Sequence, residues 1–559
     1  MKNILNKLSV LLLTLLMLVG TSCELDEFVQ DPNNLSLDAA DIDLVLNSAE
    51  FGMKDWFYEV TDPTMEVSRL VAAEPVGITY FNFAQPTRTD NLWELANTSI
   101  LPDAASVITL SEEDGLAVHA GIAKVLQAYV LMVSVDIYGD VPYYQDDRDA
   151  SVLEPESETG SSIYTEAENL LNAAIEDFAT DVSAIPGNDL FYGGDAETWT
   201  KLANTLLLRL YLTTSRVQDN AAQINALLSE DNFIGPGEDW VFQHGTNAAS
   251  PDSRHEYYID NYVTGASDYQ SDYLMYLMYT EKTNIDPRIR YYFYRQTNTP
   301  TEDVNERDCI SDNRPPHYPD GMPFCFDGLG GVGYWGRDHL DADGIPPDNL
   351  LRTNFGVYPV GGRFDDGVFD PEPAEGDVTN EGVTVGDGLG GAGIHPLMMS
   401  FYKDFMIAEA ELMINNDAGA ARTALENGVR GSISAVLDFG SSLAPANLVP
   451  TGDEIDAYVD EVLARYDATA SDMGKLDVIG KEYFIALFGN GIEAYNLYRR
   501  TGAPSDVQLP LDPNTTGYIN SFFYPSALAD RNGNVNQKAD VSGKVFWAPE
   551  EGALIEPLR

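Results

Sequence analysis

Residues 116–143 read LAVHAGIAKVLQAYVLMVSVDIYGDVPY. Leu116, Ala120, Ala123, Leu126, Val130, Val133 and Ile137 recur at spacings of three and four, the period of one helix face. The run closes on Tyr138-Gly139-Asp140-Val141-Pro142. There Gly supplies a left-handed cap and Pro forbids continuation. A helix with such a stripe must bury it against neighbours.

The same period recurs on both sides of this block. Ile163 to Phe178 carries Ile163, Ala167, Leu170, Leu171, Ala174, Ile175 and Phe178. Trp199 to Thr213 follows with Trp199, Leu202, Leu206, Leu210 and Thr213. Phe401 to Ile414 and Ala420 to Ile433 read as a helical hairpin joined through Asn415, Asn416 and Asp417. Ile455 to Tyr466 and Val478 to Tyr498 complete the set. Pairs of antiparallel helices imply an all-α fold, a degenerate tetratricopeptide-like scaffold of helical hairpins. No strict repeat of about 34 residues runs through the chain.

Three long insertions lack this period: about 60–105, 299–397 and 503–559. Loops of this length are uncommon in compact domains unless they carry function. The scaffold is therefore placed in the helices and the recognition surface in the insertions.

The chain has 559 residues, with 32 basic against 89 acidic side chains. Such a surface repels nucleic acid phosphates and an anionic membrane face. Acidity alone would suit disorder, but 44% apolar and 11% aromatic residues supply a core.

The first residues have the anatomy of a secretory signal. Lys2 and Lys7 precede an apolar run from Leu8 to Val19, then Gly20, Thr21, Ser22 and Cys23. The run is short for a membrane span, which needs about 20 apolar residues. A Cys directly after small residues resembles the lipobox of bacterial lipoproteins. That resemblance implies cleavage of residues 1–22 and a lipidated, palmitate-bearing Cys23 that anchors the chain to a membrane. Glu24-Leu25-Asp26-Glu27 resembles the surface-export signals of Bacteroidota lipoproteins. Residues 23–559 are then read as one domain.

Cys309 and Cys325 remain, sixteen positions apart in a Pro- and Gly-rich stretch. In a disulfide-permissive compartment they are expected to be joined. Closing such a loop is worth roughly 3 kcal/mol on the chain-entropy model. Two free thiols, or a metal pair with His317 between, are the alternatives.

Catalytic signals are thin. There is no Gly-x-Ser-x-Gly, no His-Glu-x-x-His and no Walker loop. His119, His244, His255, His317, His339 and His395 are scattered. Asp338-His339-Leu340-Asp341-Ala342-Asp343-Gly344 suggests a calcium loop, but Leu350 stands where the closing Glu is needed, so a solvated acidic turn is expected. The expectation is a non-enzyme with no cofactor and no metal.

Several motifs together resemble the SusD/RagB outer-membrane nutrient-binding lipoproteins. They are Ala128-Tyr129 with Asp136 to Tyr143, Trp199 to Asn204, Asp286-Pro287-Arg288, Gly356 to Pro359, Ala408 to Glu411, and Gly491 to Gly502. With the lipobox, the ordered set covers almost the whole chain. One departure is Ala527 after Tyr524-Pro525, where an acid is common in the family. The resemblance implies an outer-membrane lipoprotein facing the cell exterior. It would capture oligosaccharides and deliver them to a SusC-like TonB-dependent transporter. A peptide-binding member of the family and a surface glycan hydrolase are the alternatives.

The physical counterpart is aromatic residues on loops, on which sugar rings stack while Asn, Asp and Arg bond the hydroxyls. Tyr80, Phe81, Asn82, Arg88 and Trp93 form one candidate ligand patch, and Tyr334, Trp335 and Arg337 another. Trp335 and Trp93 are the leading single residues. The competing reading is that these rings anchor the loops to the helices. Arg499 and Arg500 sit at a helix end, where they suit the macrodipole and pair with acids.

Overall fold

The computed structural model describes residues 41–73, 84–143, 154–180, 184–265, 268–296, 326, 333–340, 352–367, 383–510 and 517–548. Cys23, Tyr80, Phe81, Asn82, Cys309 and Cys325 lie outside them.

Helices dominate. The main ones are α1 (Ile42–Ser68), α2 (Leu101–Asp114), α3 (Ala117–Tyr138), α4 (Gly160–Phe178) and α5 (Ala196–Thr214). The second half adds α6 (Ser400–Met413), α7 (Ala418–Phe439), α8 (Gly452–Ala468), α9 (Asp472–Ala486) and α10 (Gly491–Thr501). Helix α3 is the axis of the first half. Every residue from Val118 to Tyr138 except Lys124 is buried. It is long and apolar enough to cross a membrane, yet it packs between α2 and α4 as a core helix. Each fully buried Val or Leu there adds about 1.5–3 kcal/mol. Gly139, at φ 81°, stops it.

Helices α3 and α4 pack along each other, and α6 and α7 pair as the predicted hairpin. Side-chain caps fix the starts. Asp417 accepts from the Gly419 and Ala420 amides at 3.0 and 2.9 Å. Thr451 and Glu454 form a reciprocal capping box on α8. Helix α1 crosses to the far half and packs on α10. The two backbones meet so closely that a Cβ on Gly491 would lie 2.3 Å from Met65 N.

Two expectations need correction. The described residues of 60–105 are mostly helical and not an irregular insertion: α1 runs through Pro63 to Ser68, and 90–114 is helical almost throughout. From Val60 to Ser68 every residue but Asp62 is buried, so no apolar/polar period marks the helix. The block Val478 to Tyr498 is two helices, broken at Leu487 to Asn490. Asn490 caps α10 by accepting the Glu493 amide at 3.1 Å.

Among the described residues, strand structure is limited to short pairs. β1 (Trp240–Gln243) pairs antiparallel with β4 (Ile394–Met398), Phe242 facing His395, with a register shift between Trp240 and Val241. β2 (Phe293–Arg295) pairs with β3 (Thr353–Phe355), Phe293 facing Phe355. Within 299–397 and 503–559 the described residues hold one short helix, Ser526–Ala529.

Candidate functional site

One residue row of α1 reaches the surface, with Phe51 exposed and Asp55, Tyr58 and Asp62 half-buried. Phe51, Asp55, Tyr58 and Asp62 follow at four, three and four positions, so helical geometry alone lines them up. Phe51 is 49% exposed, and its ring meets Phe242 edge-on at 6.0 Å. Asp55 Oδ1 accepts from Lys54 Nζ at 2.8 Å, and Lys54 also pairs with Glu256 at 2.6 Å. Tyr58 donates to Asp260 at 3.0 Å, and its ring lies 5.3 Å from that of Tyr257. Asp62 takes Tyr257 Oη at 3.2 Å and Arg88 Nη2 at 2.9 Å. The result is a strip of alternating rings and carboxylates, flanked by the loop 244–258. It ends at Arg88.

Arg88 therefore sits on the strip, half-buried and also paired with Glu66 at 2.7 Å. Trp93 is half-buried, its ring 6.0 Å from that of Tyr138 at a steep angle. Of the first predicted patch, only Arg88 and Trp93 fall among the described residues.

The second patch is packed inside. Tyr334 and Trp335 are fully covered and Arg337 nearly so. Gly336 runs against Gln270, whose carbonyl a Cβ there would meet at 1.9 Å. Arg337 N donates to Gln270 O at 2.9 Å, and Thr353 N to Trp335 O at 2.8 Å. Tyr334 donates to Asp365. The Gly-rich neighbourhood allows this close backbone approach, and the two rings complete the core as the competing reading held. The acidic turn is corrected likewise at its start: Asp338 and His339 are buried, not solvated, and both are bonded by Gln508.

The helix-end arginines are structural. Arg500 makes two bonds to Glu409 at 2.8 and 2.7 Å. Arg499 donates to Asn520 O at 2.7 Å and stacks over Tyr495. At Ala527, Asp90 accepts from the backbone amide at 2.8 Å and from Ser526 Oγ at 2.5 Å.

The loop 244–258 also borders a cavity of about 380 Å³, lined by Thr246, Ala248, Arg254, Val385 and Leu389. Arg254 is held by Asp252 at 2.6 Å. Val385 is 60% exposed at the rim. Beneath this loop His244, His255 and His395 are buried together. Burial, then the neighbouring His395, holds His244 down to about 3. Burial, then His395 and His244, pushes His255 well below its usual range. Nothing in the sequence signals this trio, because His395 lies 140 positions after His255. Phe51 and Tyr58 escaped notice because they sit on a helix, not on a loop.

A family model for SusD-like proteins, described as "Starch-binding associating with outer membrane", matches residues 34–309. No curated protein matches the chain significantly. Solved structures match over nearly the whole chain. A chitin-binding protein has 20% identity and TM-score 0.63, covering 91% of this chain and all of its own. A SusD/RagB family protein from Bacteroides thetaiotaomicron has 18% identity and TM-score 0.62, covering 91% of this chain and 99% of its own. A SusD homologue from Parabacteroides distasonis has 19% identity and TM-score 0.63, covering 91% of this chain and 97% of its own. The helical-hairpin scaffold is thus shared along its length, and with the family model spanning the N-terminal half, the chain belongs to the SusD/RagB family.

Proposed function

We propose that the protein is an outer-membrane lipoprotein that captures oligosaccharides at the cell exterior and passes them to a SusC-like TonB-dependent transporter. The observation that carries the ligand class is the α1 strip, where Phe51 and Tyr58 stand about two helical turns apart among Asp55, Asp62, Asp260 and Arg88. Rings offer faces to sugar C–H groups, and carboxylates accept from hydroxyls. The acid excess favours neutral glycans over anionic ones. The starch-binding description of the family and the chitin-binding neighbour support the same class.

The test is titration of the chain with starch- and chitin-derived oligosaccharides, and with peptides, for wild type and for Phe51→Ala and Tyr58→Ala. Each lost ring is expected to weaken glycan binding by about 2- to 10-fold, the range of a single aromatic contact. Phe51→Ala should leave the melting temperature almost unchanged, since the ring is half in solvent. Wild-type affinity in both variants would remove the strip from the site, and binding of peptides alone would overturn the glycan reading. Anchoring rests on Cys23. Cys23→Ala is expected to move the protein from the membrane fraction to the aqueous one; unchanged fractionation would refute the lipid.

A further inference from the structure

Three chain segments bring imidazoles together under the strip. His244 follows β1, His255 opens the turn of Glu256 and Tyr257, and His395 lies on β4 opposite Phe242. Their candidate ligand atoms lie within 4.8 Å of one another. The ring centroids are 4.8, 4.5 and 4.5 Å apart. Phe57 of α1 covers His395 at 5.6 Å, and Phe242 covers His244 at 5.4 Å.

A carboxylate joins the group. Glu256 Oε2 is 3.0 Å from His395 Nε2 and 3.9 Å from His244 Nε2. Donors around a tetrahedral ion with bonds of about 2.0–2.2 Å stand about 3.3 Å apart, and these two distances bracket that value. Several of its polar atoms have no hydrogen bond. Both ring nitrogens of His244 are buried without a hydrogen-bond partner. His395 Nε2 lies close to the carboxylate yet outside hydrogen-bond geometry. A neutral imidazole carries one donor and one acceptor, and an interior rarely leaves both unmet.

We propose that His244, His255, His395 and Glu256 form a binding site for Zn²⁺. Imidazole and carboxylate donors suit zinc, whereas calcium and magnesium ask for an all-oxygen set. His244, His395 and Glu256 supply three donors. His255 is the fourth: its Nδ1 accepts the Tyr257 amide at 3.2 Å, a long cap bond that the ring exchanges for the metal. Lys54 faces Glu256 Oε1, and Asp55 offsets its charge. The ion would tie the loop 244–258 to the segment 389–395, which already exchange the bonds His244 N to Gly393 O at 2.9 Å and His255 N to Gly391 O at 3.0 Å. That loop carries Arg254 into the cavity and Glu256 and Tyr257 to the strip, so the metal would stiffen both surfaces.

The test is metal analysis of the metal-stripped chain after incubation with Zn²⁺ and desalting, with melting measured in parallel. One retained zinc per chain and a raised, chelator-reversible melting temperature are expected. His244→Asn with His395→Asn should retain none. Should that variant fail to fold, wild-type protein loaded with Co²⁺ decides: a tetrahedral cobalt spectrum and an anomalous peak between the three rings support the site. No retained zinc in folded wild type, or metal found only at surface acids, would overturn it and leave water as the occupant.

Discussion

Arg209→Ala is expected to destabilise the fold by about 3–5 kcal/mol, the cost of breaking a buried ion pair by removing one partner. Arg209 lies on α5, 1% exposed, and bonds Asp136 of α3 at 2.8 Å and Glu493 of α10 at 2.5 Å. Asp136 also accepts from Tyr164 of α4 at 2.5 Å, Asn496 of α10 at 2.8 Å and Trp547 near the C-terminus at 2.9 Å. One carboxylate thus joins four helices and the C-terminal segment. Without the guanidinium, two carboxylates face each other in the interior. Denaturant unfolding of wild type and variant measures the loss. The exposed pair Arg422–Asp467, at 39% and 52% exposure, is the control. Arg422→Ala should cost no more than about 1 kcal/mol. Equal losses for the two variants would show that burial does not set the scale.

This network explains why some of the family motifs were legible and why their roles were not. Asp136 and the Gly491 to Gly502 run were visible as ordered motifs, yet their meaning lies in contacts across some 360 positions. Helices with one solvent face, such as α4 and α7, announced themselves through their period. Residues 60–68 did not, because a helix wrapped on nearly all sides has no polar face to alternate with. Asn490 looked like part of one long helix because the apolar period continues through the break. The candidate site was harder still. Arg88 was visible beside an aromatic loop, but Phe51 and Tyr58 gained their meaning only when α1 turned them outward beside the loop 244–258. The histidine trio had no local signal at all.

Trp335→Ala separates packing from recognition. Trp335 is fully buried, and its amide donates to Thr353 Oγ1 at 2.8 Å while its carbonyl accepts from Thr353 N at 2.8 Å. Removing an indole from such a place leaves a cavity that the surrounding structure fills only in part. The expected loss is about 3–5 kcal/mol. Trp335→Phe keeps most of the ring volume and should cost markedly less. Neither variant should change oligosaccharide affinity when titrated well below its melting transition, because a ring with no exposed face offers a sugar nothing to stack on. Phe51→Ala should do the reverse, weakening binding while sparing the fold. A Trp335→Ala protein that melts like wild type but fails to bind glycan would mean that the segment 333–340 opens to admit ligand, and would return the site to the Gly-rich insertion.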